Sequence, residues 1–244
     1  MKKQILIFDL DNTLSESRTP IDAEIAKGIT DLLSKHSVAI ISGESFEEFK
    51  PQVLSRLSIS EEKMPKLFIL PTSGAELWTN KNGGWEKVYS YPMTEKLRKK
   101  ITDAIIRAVG ISKNEAPKYI EDRESQVTYS ALGIYALLEE KRKWDPDQKK
   151  RRELLQKLAP KFPECSLRIG GTTSVDFTLK GIDKAFGVQK FIEYLNANIA
   201  DAVFVGDALY EGGNDSTVKK TGIDTITTSG PLETKKIIQK FLAV

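Results

Sequence analysis

The chain has 244 residues with 37 Lys and Arg against 34 Asp and Glu, a net charge of +3 that is too mild to argue for nucleic acid as the partner. Its 40% hydrophobic and 29% charged residues suit a globular protein rather than a disordered one, and no apolar run approaches the roughly 20 residues of a membrane span. One Cys (Cys165) and one His (His36) exclude an internal disulfide, a Cys-rich zinc site and any two-His metal site, so catalysis would run on carboxylates, Lys, Ser or Thr and a bound metal, with a cytoplasmic location as the expectation.

Residues 4–8 (QILIF) are apolar on consecutive positions up to Asp9, which predicts a parallel strand buried on both faces. A helical stripe at positions 25, 26, 29, 32 and 33 predicts a helix over 22–35, with Asp22 as its N-cap. The run SVAIISG is a second buried strand that ends in a small-residue turn at Ser42–Gly43, followed by a helix over 45–57 and a strand at 66–70 (KLFIL). This alternation predicts a parallel sheet with helices on its faces.

After Gly74 the rhythm changes. AELWTNKNGGWEKVYSYP reads as an antiparallel hairpin turning at NGG, and MTEKLRKKITDAIIRAV as an amphipathic helix. RESQVTYSAL and SLRIGGTTSVDFTL alternate apolar and polar residues as half-buried antiparallel strands do, with a basic helix over 147–159 between them. From Lys184 the α/β pattern resumes with a helix (185–195), the strand AVFVGD, another helix, the strand TITT and a helix over 232–242. The predicted fold is an α/β Rossmann-like core with a parallel sheet (1–85 and 180–244), interrupted by an inserted α+β domain with an antiparallel sheet (86–179). Within that insertion the basic segment KRKWDPDQKKRR reads as a solvated helix start and loop, and nothing near Cys165 points to a reactive thiol.

The strongest chemical signal is FDLDNTL at 8–14. Asp9 and Asp11, two residues apart at a strand end, can project to the same side of an extended chain, where open parallel sheets bind their ligands. Such a pair suits phosphoryl transfer, one carboxylate attacking phosphorus while the other passes a proton to the leaving oxygen. Ser42 at a strand-to-helix turn can hold phosphate oxygens, and Lys184 at a helix start can neutralise charge on the transferred group. In VFVGDALYEGGND, Asp207 ends a buried strand and a glycine-bearing loop leads to Asn214 and Asp215. These are oxygen ligands that can hold Mg²⁺ together with Asp9 and the Asp9–Asp11 turn.

Together these four elements resemble the haloacid dehalogenase (HAD) superfamily of phosphohydrolases and phosphomutases, with the insertion where that superfamily carries its large C2-type cap (subfamily IIB). The resemblance implies Asp9 as the nucleophile that forms an aspartyl phosphate and Asp11 as general acid/base. It implies Ser42 and Lys184 as phosphate ligands, and Asp9, Asp11 and Asp207 as the metal site, with Asn214 and Asp215 as further candidates. Within the superfamily the chain is most similar to eukaryotic-type phosphomannomutases and their bacterial relatives. Arg18, Arg123 in YIEDR, and Ser174 and Asp176 in GGTTSVDF match that family's substrate contacts, and a homodimer through the cap is also implied.

Two positions depart from the pattern. The mutases keep a cap arginine eleven residues after Arg123 and another seven residues further on, where this chain has Ile134 and Lys141. Neither supplies the planar guanidinium that clamps a second phosphate. The sequence alone therefore favours a Mg²⁺-dependent phosphatase acting on a hexose phosphate. The alternative is a phosphomannomutase interconverting mannose 6-phosphate and mannose 1-phosphate. A more distant one is a non-catalytic phosphosugar or nucleic-acid binding module, against which the retained acids and Lys184 argue.

Overall fold

The computed structural model describes residues 3–243, which form two compact units. One runs to Ser90 and resumes at Asp183; the other is Tyr91–Ile182. The first half of the first unit is β1 (Ile5–Asp9), α1 (Ala23–Leu32), β2 (Ser37–Ile41), α2 (Phe46–Gln52), β3 (Leu67–Leu70), β4 (Glu76–Lys81) and β5 (Gly84–Ser90). The second unit holds α3 (Glu95–Val109), α4 (Ala116–Tyr119), β6 (Ile120–Asp122), β7 (Gln126–Ser130), α5 (Leu138–Trp144), α6 (Lys149–Leu158), β8 (Cys165–Gly170) and β9 (Ser174–Leu179). The chain then completes the first unit with α7 (Lys184–Tyr194), β10 (Ala202–Gly206), β11 (Asp224–Thr227) and α8 (Pro231–Leu242).

The first sheet has the order β11-β10-β1-β2-β3-β4-β5, parallel as far as β3 and antiparallel over β4 and β5. Its apolar strands are continuous because both faces are covered. Leu6, Phe8, Val38 and Ile40 pack with Ile25 and Ile29 of α1 and Ile237 of α8 on one face. Ile5, Ile7, Ala39 and Ile41 pack with Val188 and Phe191 of α7 on the other. Asp22 caps α1 as expected, accepting from Glu24 N (3.0 Å) and Ile25 N (2.9 Å). The helix expected over 45–57 stops at Gln52, since Pro51 has no N–H for the preceding turn, and a 3₁₀ turn follows at Leu54–Arg56.

The expected boundary at 86 falls inside β5. Asn82 and Gly83 both take positive φ (51° and 79°), as a two-residue hairpin turn requires, and the hairpin extends the first sheet. Trp78 stacks on Phe46 of α2 at 3.9 Å, and Trp85 lies 5.6 Å from the same ring. At the other junction Lys180 N donates to Glu164 O (2.9 Å) and Thr178 Oγ1 to Ile182 O (2.9 Å), which keeps 180–182 with the second unit.

The second unit is a four-stranded antiparallel sheet of order β6-β7-β9-β8. Val127, Tyr129, Val175 and Phe177 form its apolar face, packed with Ile101 and Ile105 of α3 and Leu158 of α6. The alternate residues Gln126, Thr128, Ser130, Ser166, Arg168, Ser174, Asp176 and Thr178 form the opposite, polar face. The basic run 141–152 is not uniformly solvated, because two of its members are structural. Buried Lys141 donates from Nζ to Ile134 O at 2.8 Å. Buried Arg151 binds Asp145 (2.9 Å) and donates to Gly171 O (2.9 Å), which anchors the turn between β8 and β9. Burial, helped by Glu164, pushes the Cys165 thiol up to about 11, away from the thiolate form that a reactive cysteine needs. Among the described residues no helix is long and apolar enough to cross a membrane.

Candidate active site

β1 lies between β10 and β2, so the chain leaves its C-terminal end beside two neighbouring strand ends, where an open α/β sheet forms its ligand crevice. Asp9 is the last residue of β1, and Asp207 follows the last residue of β10. Asn12 takes a left-handed conformation (φ 58°) and turns the chain so that its N–H meets Ser15 O at 2.7 Å. The hydroxyl of buried Thr13 then donates to Asp9 Oδ2 (3.1 Å) and accepts from Asp207 N (3.1 Å), which joins the two loops.

Lys184 reaches this point because α7 can approach the sheet closely. A Cβ on Gly74 would lie 2.4 Å from the Gly187 Cα, so the loop after β3 and the first turns of α7 meet backbone to backbone. Asp183 caps the helix by accepting from Phe186 N at 3.1 Å. The buried Lys184 ammonium then donates to Asp9 Oδ1 and to Asp215 Oδ1, each at 2.5 Å. Asp215 is fully buried and its second oxygen accepts from Ala208 N (3.1 Å), which fastens the glycine loop to the end of β10. A side chain at Gly206 would sit 2.3 Å from that oxygen, so only glycine fits there.

One ammonium thus faces three carboxylates, Asp9, Asp207 and Asp215, each with an oxygen within 4.8 Å of the others. Burial, reinforced by Asp215 and Asp207 and opposed by Lys184, raises Asp9 well above the carboxylate range. Asp207 is pushed up to about 6, by burial first and then by Asp215. Burial on its own would lower Lys184, but Asp215 and Asp9 outweigh it and raise the ammonium. The cluster is therefore short of positive charge and rich in oxygen donors, a fit for a hard divalent cation.

The other expected residues are placed as follows. The Asp11 carboxylate is not one of the three acids gathered there. It accepts from Arg18 N (2.8 Å) and Ser42 Oγ (3.3 Å), and Asp215 takes the third place beside Asp9 and Asp207. Ser42 sits at the end of β2 and also accepts from Glu44 N (3.2 Å). Arg18 pairs with Glu44 at 3.2 Å, and Asn214 lies in the loop between Asp207 and Asp215. Arg123, Ser174 and Asp176 belong to the second unit. Arg123 pairs with Glu121 (2.8 Å), Ser174 Oγ is 3.3 Å from Ser130 Oγ, and Asp176 accepts from Thr128 Oγ1 (2.8 Å). Sequence reasoning missed Thr13. Its signal was its position, four residues after Asp9 on the inside of a turn, where a hydroxyl can reach back to the strand end.

Comparison with known proteins points to one family. The profile of the eukaryotic phosphomannomutase family matches residues 27–244. A phosphomannomutase of Encephalitozoon cuniculi (strain GB-M1) is 26% identical over 99% of this chain and 94% of its own. A probable phosphomannomutase of Caenorhabditis elegans is 26% identical over 98% and 96%. Among solved structures, an IMP-bound, N-terminally truncated IMP-nucleotidase of Plasmodium falciparum superposes with a TM-score of 0.66 at 18% identity, covering 99% of this chain and 68% of that one. A trehalose-6-phosphate phosphatase related protein gives 0.57 at 16% identity, covering 98% and 97%. With a buried Asp-Lys-Asp cluster at the strand ends and a match across nearly its whole length, the chain belongs to the eukaryotic phosphomannomutase family of HAD-type phosphoryl-transfer enzymes.

Proposed function

We propose that this protein is a phosphomannomutase, interconverting mannose 6-phosphate and mannose 1-phosphate. The observation that carries the reading is the family match over residues 27–244, joined to relatives named phosphomannomutase that align along nearly all of both chains. This reverses the preference for a hydrolase that Ile134 and Lys141 suggested.

In the proposed mechanism Asp9 attacks phosphorus and becomes the aspartyl phosphate. Lys184 on its Oδ1 and Thr13 on its Oδ2 hold the carboxylate in one orientation. Asp11, steadied by Arg18 N and Ser42 Oγ, gives a proton to the leaving sugar oxygen. It takes the proton back from the hydroxyl that next attacks the aspartyl phosphate. Ser42 and Lys184 bind the phosphoryl oxygens. Asp9, Asp207 and Asp215 would hold Mg²⁺, which supplies charge neutralisation for the transferred group when bound. Arg18, Arg123, Ser174 and Asp176 are the proposed sugar-phosphate contacts.

A specific observation favours hydrolysis as the second reading. Ile134 is apolar and buried, and the Lys141 ammonium is buried and donates to the Ile134 carbonyl, so neither position offers a guanidinium. The two readings separate when enzyme, Mg²⁺, mannose 1-phosphate and a trace of mannose 1,6-bisphosphate are followed by ³¹P NMR. Mannose 6-phosphate without free phosphate is the expected product; accumulation of free phosphate alone would establish the hydrolase.

A further inference from the structure

Beyond the residues already assigned, we infer that Glu44 is a positioning residue that fixes the acid/base carboxylate of Asp11 from both sides. The inference rests on the role proposed above for Asp11, which isomerisation and hydrolysis share. In that step phosphorus bonds to Asp9 as its bond to the sugar oxygen breaks. The electron pair stays on that oxygen, which takes the proton from Asp11.

Proton transfer of this kind needs the carboxyl aimed within hydrogen-bond reach of the oxygen it serves. Each oxygen of Asp11 has a donor, and both donors lead to Glu44. Oδ1 accepts from Arg18 N at 2.8 Å, and the Arg18 guanidinium pairs through Nε with Glu44 Oε1 at 3.2 Å. Oδ2 accepts from Ser42 Oγ at 3.3 Å, and that hydroxyl accepts in turn from Glu44 N at 3.2 Å. The two routes leave Glu44 by different groups, side chain and backbone, and close a ring through Asp11.

The backbone at Arg18 shows what the side-chain arm does. Arg18 takes a left-handed conformation (φ 57°), which is unfavourable for a residue with a Cβ and persists only where the surroundings enforce it. Here the N–H is held on Asp11 and the guanidinium on Glu44, and these contacts enforce it. Glu44 is a fixed post for that purpose. It is buried, and its carbonyl accepts from Thr72 N at 2.9 Å while Ser42 O accepts from Ser73 N at 2.7 Å, which fastens the turn after β2 to the loop after β3. Burying an ion pair gains little stability over apolar side chains of the same volume. Stability alone therefore does not account for one built against the acid/base carboxylate.

The test is steady-state turnover of mannose 1-phosphate by the full-length chain with Mg²⁺ and a trace of mannose 1,6-bisphosphate, counting mannose 6-phosphate and free phosphate together. Glu44→Gln cuts the side-chain arm alone and is expected to lower kcat by about 10- to 100-fold, part of the roughly 10²- to 10⁴-fold that general acid/base catalysis contributes. The Mg²⁺ concentration for half-maximal turnover should stay at the wild-type value, because the three-acid cluster is untouched; a merely structural role would raise it along with the loss of kcat. Glu44→Asp, which keeps the charge but draws it back by one methylene, should lose less and carries the test if the Gln variant does not fold. Because Glu44 acts through Arg18, adding Glu44→Gln to Arg18→Met should cost no more than about threefold further, whereas independent roles would multiply. Three results overturn the assignment: wild-type kcat in Glu44→Gln (or in Glu44→Asp, should the first not fold), a matching rise in the Mg²⁺ requirement, or multiplying losses in the double variant. Failure of the underlying reading shows separately, as an Asp11→Asn variant that keeps the wild-type kcat.

Discussion

Raising the pH of the metal-free protein from 5 to 7.5 should destabilise it, and Mg²⁺ should restore the loss. Asp207 is pushed up to about 6 from an ordinary 3.8, by burial and by Asp215. A carboxyl whose folded pKa exceeds its unfolded value binds more protons in the folded state, so stability falls as pH climbs from the lower value to the higher. The whole displacement corresponds to about 3 kcal/mol, of which about half develops above pH 5. Asp9 moves in the same direction. Asp22 and Asp145 have the opposite sign: burial would raise them, but the backbone N–H of Ile25 and the Lys235 ammonium lower Asp22, and Arg151 lowers Asp145. Their contribution is lost only in more acidic solution. At about 2–4 °C per kcal/mol for a chain of this size, Asp207 alone predicts a fall in Tm of about 3–5 °C between pH 5 and 7.5. The assay is thermal unfolding by circular dichroism in EDTA, with Asp207→Asn as the reference so that other titrations cancel. Adding Mg²⁺ at pH 7.5 should raise the wild-type Tm more than that of the variant. A wild-type Tm that holds level or rises relative to Asp207→Asn over this range would refute the electrostatic account of the cluster.

Three substitutions test the rest of the site. Asp9→Asn should keep the fold and lower phosphoryl transfer by about 10³-fold or more, read as loss of product in the ³¹P assay. Thr13→Val leaves the Asp207 N–H without its acceptor, at about 1–3 kcal/mol; reduced Tm and kcat should both return in Thr13→Ser. Gly206→Ala forces a Cβ against Asp215 Oδ2, an overpacking of about 1–3 kcal/mol, and should raise the Mg²⁺ concentration needed for half-maximal activity.

The parallel core was legible because its strands are apolar on consecutive residues and its helices carry a regular stripe, so both faces announce their burial. Its limits were less so. The β4–β5 hairpin has the alternating, turn-marked look of the inserted domain, and it is the pairing of β4 with β3, backed by the packing of Trp78 and Trp85 against Phe46, that assigns it to the first sheet. The basic run 141–152 misled for a related reason. Composition makes every lysine and arginine look solvated, whereas Arg151 is buried by a carboxylate six residues earlier and by a turn twenty residues later. Contacts of that kind leave no periodic trace.

In the site, the acids and Lys184 could be named from motif spacing, and their division of labour only from the family resemblance. Asp9 and Asp11 look equivalent as a pair two residues apart. The left-handed turn at Asn12 separates them, sending Asp9 to Lys184 and Thr13 and Asp11 to Arg18 N and Ser42. Asp215 could be read from its motif only as a further ligand candidate at the end of a glycine-bearing loop, yet it is the most deeply buried acid of the cluster and the one that fixes both Lys184 and Ala208 N. The glycines explain why. Gly206 leaves room for its carboxylate and Gly213 lets the loop fold back onto the Ala208 carbonyl, where a Cβ would stand 2.1 Å away. An acid can be buried in this way only if a cation waits for it. Lys184 meets that need for one carboxylate, and the two acids it does not neutralise, both raised in pKa, are what let this strand end accept a cation.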